Sequence, residues 1–439
     1  MTLTRSAADL APSVAVDVDV PTAATGTAAT GTAATHAAAA GVAQPVGRAA
    51  RGTGDELLPM GRRAPRRATG AWLEGDPPAA RRFADVGALA LEMGGRLPAV
   101  RVAYETWGTL NPARDNAVLV EHALTGDAHV SGPAGPGQPT PGWWDGLVGP
   151  GRPLDTDRWF VVAGNVLGGC QGSTGPSSLA PDGAAWGSRF PFCTIRDQVA
   201  VEARLADALG IDSWAGVVGG SMGGMRALEW AVSYPDRVRS CMVLASTAYA
   251  SAEQIAWCQA QVLAIRADPR FAGGDYYGQP TGPDVGLGIA RRIAHVTYRS
   301  ETELAQRFGR EPQGQEQPLG SRGRYAVESY LDHHADKLAA RFDANSYVVL
   351  TNAMSSHDIG RGRGGVGAAL GRLTADLVVA SVDSDRLYPP RLSEEIVAHV
   401  PTAAPVQQVS SPYGHDGFLI EIGQVGAIVR KALVDSQIR

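Results

Sequence analysis

Gly219-Gly220-Ser221-Met222-Gly223 follows directly on the apolar run Trp214-Ala215-Gly216-Val217-Val218 and precedes a helical-looking segment, Met225 to Ser233. Strand, tight turn and helix around a glycine-framed serine form the context of a nucleophile elbow. The glycines have a steric reason. A serine on so sharp a turn leaves no room for side chains on its neighbours, which face strand and helix.

Outward from the elbow, the chain alternates between strand-like and helix-like blocks. Phe83 to Tyr104 reads as two strands around Gly94-Gly95, and Asn116 to Glu121 and Trp159 to Ala163 are short apolar runs suited to buried parallel strands. Arg196 to Leu209 has helical periodicity and feeds the strand at Trp214. Cys241 to Ala245, Leu377 to Val382 and Val406 to Ser410 supply three further strands. The expected class is α/β with a mainly parallel central sheet. The rhythm breaks between 249 and 371, where Ala252 to Ala267, Pro283 to Thr297 and Arg324 to Phe342 look helical. This reads as an inserted helical cap, with a mobile loop over Glu311 to Gly323. The core then spans 69–248 and 372–439.

Residues 1–68 differ from the rest: Thr22 to Thr35 is a short tandem of Thr-Ala-Ala-Thr-Gly, and no aromatic residue occurs there. Such a segment buries too little apolar surface to offset its ordering entropy and is expected to be disordered. Arg62, Arg63, Arg66 and Arg67 near its end read as a solvated linker. A net charge of −5 argues against a general nucleic-acid binder. No run of about 18 apolar residues is present, so no spanning helix is expected, and Asp9, Asp17 and Asp19 interrupt any signal-like stretch. Cys170, Cys193, Cys241 and Cys258 have neither zinc nor disulfide spacing. A cytoplasmic protein without a metal is expected.

A serine hydroxyl needs a base to take its proton and a third group to orient that base. In an elbow fold these follow the serine in the order acid, then histidine. Asp383-Ser384-Asp385 comes directly after the strand Leu377 to Val382, and His415 lies in a glycine-flanked loop after the last strand. Ser221, Asp385 and His415 form the expected triad, with Asp383 the competitor for the acid. His295, His333, His334, His357 and His399 lack that framing, and adjacent helical histidines such as His333-His334 point apart. The oxyanion would be met by the backbone N–H of Met222 and by that of Leu124 or Thr125, in the loop His122-Ala123-Leu124-Thr125-Gly126.

Together these stretches resemble the homoserine O-acyltransferases of the α/β-hydrolase superfamily. The matching segments are His122 to Gly126, Asn165 to Pro176, Gly219 to Met225, Ala290 to Tyr298, Ser384 to Pro389 and Gly414 to Phe418, in the family order over roughly 72 to 435. The resemblance implies the α/β-hydrolase fold and ping-pong acyl transfer from an acyl-CoA to the hydroxyl of L-homoserine, an early step toward methionine. It places a carboxylate-binding arginine at Arg291, with Arg292 adjacent, an ammonium-binding acid at Asp416, and a site-lining residue at Tyr298. A zwitterionic amino acid needs such a cation and anion pair.

The resemblance further implies acetyl-CoA as co-substrate, no tightly bound cofactor, and a homodimer through the cap helices. Acetyl transfer is the expected chemistry, since no arginine is clearly placed for a succinyl carboxylate. A succinyl donor, serine as acceptor, and an esterase of the same fold are the alternatives. A non-catalytic scaffold would have no reason to keep serine, acid and histidine together.

Overall fold

The computed structural model describes residues 67–314, 318–319 and 323–438. Most of the expected disordered extension, with Arg62, Arg63 and Arg66, lies outside the described residues, as does part of the expected loop after Glu311. The described chain begins packed: Ala68 is buried, Thr69 Oγ1 donates to Asp343 Oδ1 at 2.7 Å, and Arg67 pairs with Asp76 at 2.7 Å.

Strands β1 (Arg82–Ala90) and β2 (Arg96–Trp107) pair antiparallel around Gly94-Gly95. After β3 (Ala117–Glu121), β4 (Val148–Gly149) and β5 (Leu154–Asp155) pair with each other. The alternation runs on through β6 (Phe160–Gly164), α1 (Ile195–Leu209), β7 (Gly216–Gly220), α2 (Met222–Ser233) and β8 (Ser240–Leu244). Helices α3 (Ala252–Arg266), α4 (Asp284–Tyr298), α5 (Glu301–Phe308), α6 (Ala326–Ala339), α7 (Ala344–Ser355) and α8 (Val366–Leu370) come next. The order closes with β9 (Asp376–Val382), α9 (Pro390–Ala398), β10 (Gln407–Val409), α10 (Gly417–Ile420) and α11 (Ile422–Ile438).

The main sheet has the order β1-β2-β6-β3-β7-β8-β9-β10, parallel from β6 onward. This is the α/β-hydrolase arrangement, with the elbow strand β7 in its middle. The central strands β3, β6, β7 and β8 are buried on both faces, and successive residues point to opposite sides. Leu119, Val162, Val217, Val243 and Val379 pack with Trp214 and Trp230. Val118, Val161, Val218, Met242 and Ala380 pack with Trp144 and with Val425 and Val429 of α11. A third apolar cluster joins the elbow residues Met222 and Met225 to Val262 and Ile265 of α3, Leu287 and Ala290 of α4 and Tyr347 of α7. The cap is seated on the elbow.

The neck of the insertion is closed by backbone pairing. Ala250 N–H donates to His357 O and Ile359 N–H to Ala248 O, both at 2.9 Å. The sequence reading carried the cap to 371. In the structure, Ile359, Ala369 and Leu370 already belong to the cluster on the sheet, because re-entering chain buries its apolar residues against the core. Buried His357 stays neutral at this neck, its pKa pushed by desolvation to about 4. No helix among the described residues is long and apolar enough to cross a membrane.

Candidate active site

Ser221 stands between β7 and α2 at φ 57° and ψ −124°, a conformation that L-residues rarely adopt. The structure supplies the reason for the flanking glycines. A Cβ on Gly219 would overlap the backbone of Gly223, one on Gly223 would overlap the carbonyl of Glu121, and one on Gly220 would enter the Phe418 ring. The strained turn is pinned: Ser221 N–H donates to Leu244 O at 3.0 Å, and Ser246 Oγ donates to Ser221 O at 2.7 Å. Met222 opens α2, so its N–H is one of the orphan donors of a helix N-terminus.

Asp385 lies just past the end of β9. Its Oδ1 accepts the N–H groups of Leu387 (2.8 Å) and Tyr388 (2.9 Å), and its Oδ2 lies 2.6 Å from His415 Nδ1. The competitor Asp383 is occupied elsewhere, accepting from Ser410 Oγ and Ser411 N–H. With Nδ1 committed to Asp385, Nε2 is the His415 atom left for Ser221. The imidazole is caged by Tyr388 (5.0 Å, stacked), Phe418 (5.4 Å) and Tyr298 (5.7 Å). Phe418 also packs on Gly220, and the Tyr388 hydroxyl lies near Ser221. Serine and histidine therefore share two aromatic neighbours. Burial works against a charged His415, but the charge and hydrogen bond of Asp385, helped by Asp416, outweigh it and raise the imidazole above its ordinary value. Ser221, Asp385 and His415 are each at least nine-tenths buried.

The loop after β3 is held from several sides. His122 is kept neutral by desolvation. Its Nε2 accepts the Val166 N–H at 3.1 Å, so Nδ1 carries the proton and donates to Ala123 O. Contact with Val166 seats the Asn165 to Pro176 segment against this loop. Arg226 donates to His122 O at 2.6 Å and is wholly buried between Glu121 (2.7 Å) and Glu202 (2.6 Å). Desolvation, followed by repulsion from Glu202, raises the Glu121 carboxyl well above its usual range despite Arg226. One arginine between two acids then needs only one ionised carboxylate. Gly126 N–H closes a turn on Ala123 O, and the N–H groups of Leu124 and Thr125 meet no acceptor among the described residues.

Two cap arginines meet this loop at Thr125. Arg341 Nη2 donates to Thr125 O at 2.7 Å, and Arg291 Nη1 lies 3.4 Å from Thr125 Oγ1. Arg291 also sits 5.7 Å above the Tyr298 ring, and its buried Nε has no partner among the described residues. Arg292 is tied to Asp332 of α6 at 2.6 Å. Of the adjacent pair, only Arg291 reaches the catalytic loop. Burial pushes the Tyr298 hydroxyl up to about 12, so it remains protonated. Asp416 follows His415 and pairs with Arg299 at 3.2 Å. The His334 and His295 rings lie 4.0 Å apart, tilted, inside the cap, and no group of residues suited to holding a metal occurs among the described residues.

Three residues at this site escaped the sequence reading. Tyr388 lay inside the quoted segment Ser384 to Pro389 but offered no signal of its own. Arg299 follows Tyr298 directly, and Arg341 sits past the end of α6; no motif or periodicity marks either in the sequence.

A family described as alpha/beta hydrolase fold matches residues 116–421. A homoserine O-acetyltransferase from Thermobifida fusca (strain YX) is 63% identical over 368 residues, covering 83% of this chain and 97% of its own. Another from Clavibacter michiganensis subsp. michiganensis (strain NCPPB 382) is 60% identical over 371 residues, covering 83% and 95%. Among solved structures, the homoserine O-acetyltransferase from Bacillus anthracis superposes with a TM-score of 0.74 at 27% identity, covering 80% of this chain and 97% of its own. Esterase E22 superposes with the same TM-score at 26% identity, covering 80% and 99%.

Proposed function

As the chain belongs to the homoserine O-acetyltransferases, of α/β-hydrolase fold, we infer that Ser221 carries an acetyl group from acetyl-CoA to the side-chain hydroxyl of L-homoserine. The product, O-acetyl-L-homoserine, enters methionine biosynthesis. Ser221 Oγ gives its proton to His415 Nε2 and attacks the thioester carbonyl. The N–H groups of Met222 and of Leu124 or Thr125 receive the oxyanion. Collapse expels CoA, whose sulfur takes the proton from His415. The homoserine hydroxyl then gives its proton to His415 and attacks the acetyl-enzyme, and the second collapse returns a proton to Ser221. Acetyl-CoA is a co-substrate consumed in each turnover, and the scheme uses no bound cofactor. A cytoplasmic location suits such an enzyme and is checked by cell fractionation.

One observation carries the choice of acceptor: Arg291 reaches the catalytic loop while Arg292 is tied off, and Asp416 stands beside His415. Water at about 55 M competes for any acetyl-enzyme, so transfer requires a buried serine and a positioned acceptor. A plain esterase needs no such clamp. Arg291→Ala is therefore expected to lower kcat/KM for homoserine by tens- to about a hundredfold, the worth of charge-assisted hydrogen bonds. Cleavage of p-nitrophenyl acetate should stay within about threefold. CoA release from acetyl-CoA and succinyl-CoA, each with homoserine and with serine, fixes donor and acceptor. Equal losses with both substrates in Arg291→Ala would remove the clamp and favour the esterase reading.

The cap also offers a self-association face. Ile255 and Leu263 of α3 and Val285, Ile289 and Val296 of α4 are exposed, Val285 at 61%. Adjacent helices carrying such a stripe suit a homodimer, which would bury about 800 Å² per protomer. Sedimentation should give a dimer for the native chain and a monomer for Leu263→Asp. A native monomer at micromolar concentration would contradict it.

A further inference from the structure

Binding a zwitterion poses a problem that the two clamp residues cannot solve by themselves. A cation and an anion placed to hold the two ends of one small molecule attract each other when it is absent. If Asp416 swung onto Arg291, substrate would have to break that ion pair before binding. Arg291 lies 5.7 Å over the Tyr298 ring, and that ring lies 5.7 Å from His415, the neighbour of Asp416, so the two charges stand in one neighbourhood. No ion pair joins them among the described residues: Arg291 lies against Thr125 Oγ1, and Asp416 lies against Arg299.

Arg299 is well built to hold Asp416. Its side chain is 8% exposed and grips Glu303 with a fork, Nε to Oε2 at 3.1 Å and Nη2 to Oε1 at 2.8 Å. The remaining nitrogen, Nη1, reaches Asp416 Oδ2 at 3.2 Å, and the guanidinium lies 5.1 Å over the Tyr413 ring. The backbone around it is clasped as well. Ser300 Oγ donates to Pro412 O, and Gly414, at φ 65°, packs so closely on Tyr298 O that no side chain would fit. The end of α4 is thus fixed to the loop bearing His415 and Asp416.

Arg299, Glu303 and Asp416 together leave one surplus negative charge. Arg307 reaches Glu303 only at 3.5 Å from a half-exposed position, where water screens it. An ammonium group arriving at Asp416, whose side chain is part-exposed, makes this set neutral.

We propose that Arg299 is a positioning residue: it holds Asp416 away from Arg291 and presents it to the ammonium group of the amino-acid acceptor. The proposal rests on the reading of Asp416 as the ammonium partner. The test compares native enzyme with Arg299→Gln, Arg299→Lys, Asp416→Asn and the Arg299→Gln/Asp416→Asn double variant. Acceptors are homoserine and 4-hydroxybutyrate, which keeps the hydroxyl and carboxylate but lacks the ammonium; CoA release without acceptor reports the first half-reaction. Arg299→Gln should raise KM for homoserine on the order of ten- to thirtyfold, the worth of a charge-assisted contact. It should change KM for 4-hydroxybutyrate and the CoA burst by less than about threefold. Arg299→Lys, which keeps the charge without the fork, should fall between, and it stands in if the glutamine variant does not fold. The double variant should be no worse than Asp416→Asn, because Arg299 acts through Asp416. Equal losses with both acceptors, additive losses in the double variant, or an unchanged homoserine KM would overturn the proposal. An Asp416→Asn variant with native KM for homoserine would instead remove the ammonium assignment itself.

Discussion

Ser221→Ala is expected to release no CoA from acetyl-CoA in the absence of homoserine, and to lower homoserine acetylation by about 10⁴-fold or more. A ping-pong enzyme releases one CoA per site before any acceptor arrives, because the acetyl group has moved to the serine. Removing the oxygen removes the only place prepared for it. The oxyanion donors and the clamp remain, so binding of acetyl-CoA should survive, and rapid-quench measurement of CoA separates the two events. A persistent burst, or turnover within a hundredfold of native, would mean that another atom carries the acyl group. Stability supplies a second readout at the same position. Ser221 holds φ 57° and ψ −124°, which costs about 1–3 kcal/mol for a residue with a Cβ. Alanine keeps that strain and should melt near the native temperature. Glycine relieves it, and after its own entropy loss of about 0.5–1 kcal/mol Ser221→Gly should be the more stable inactive variant by roughly 1 kcal/mol.

The elbow was legible because its chemistry demands a local pattern. Burial on both faces makes β7 a continuous apolar run, and the close approach of Glu121 and Phe418 makes glycine the residue that fits at 220 and 223. Asp385 and His415 were legible for a related reason, since each follows a strand that ends at the same edge of the sheet. Choosing Asp385 over Asp383 on physical grounds needed coordinates, because both follow β9 and only the hydrogen bonds distinguish them. The cap hid more. Arg341 gains its place from a contact with Thr125, far away in the chain, and Arg299 from Asp416, so helical periodicity has no means of marking either. Arg291 and Arg292 were likewise inseparable until Asp332 was seen to hold one of them.

Asp385→Asn is expected to cost about 10⁴-fold in kcat/KM while leaving the fold intact. The size of the loss follows from how the carboxylate is used. Its Oδ1 already accepts the N–H groups of Leu387 and Tyr388, so the asparagine oxygen is drawn to that side. The amide NH₂ is then turned toward His415 Nδ1. Because NH₂ donates, Nδ1 must accept, and the imidazole proton moves to Nε2, the atom that has to receive the proton of Ser221. Rotating the amide to restore Nδ1 would set NH₂ against two backbone N–H groups. Neither orientation yields a base.

The pH profile tests the charge separately from the tautomer. Catalysis needs neutral His415, and in the native site Asp385 outweighs burial and holds the imidazole above 6.5. Activity toward p-nitrophenyl acetate should therefore fall as pH drops through an acid limb above 6.5. Removing the Asp385 charge leaves burial opposed chiefly by the smaller influence of Asp416, so the residual activity should show its acid limb at lower pH. A variant that was merely misfolded in part would lose amplitude and keep the limb in place. If Asp385→Asn retains more than about a tenth of native kcat/KM, or if its acid limb does not move, Asp385 is not the charged partner of the catalytic base.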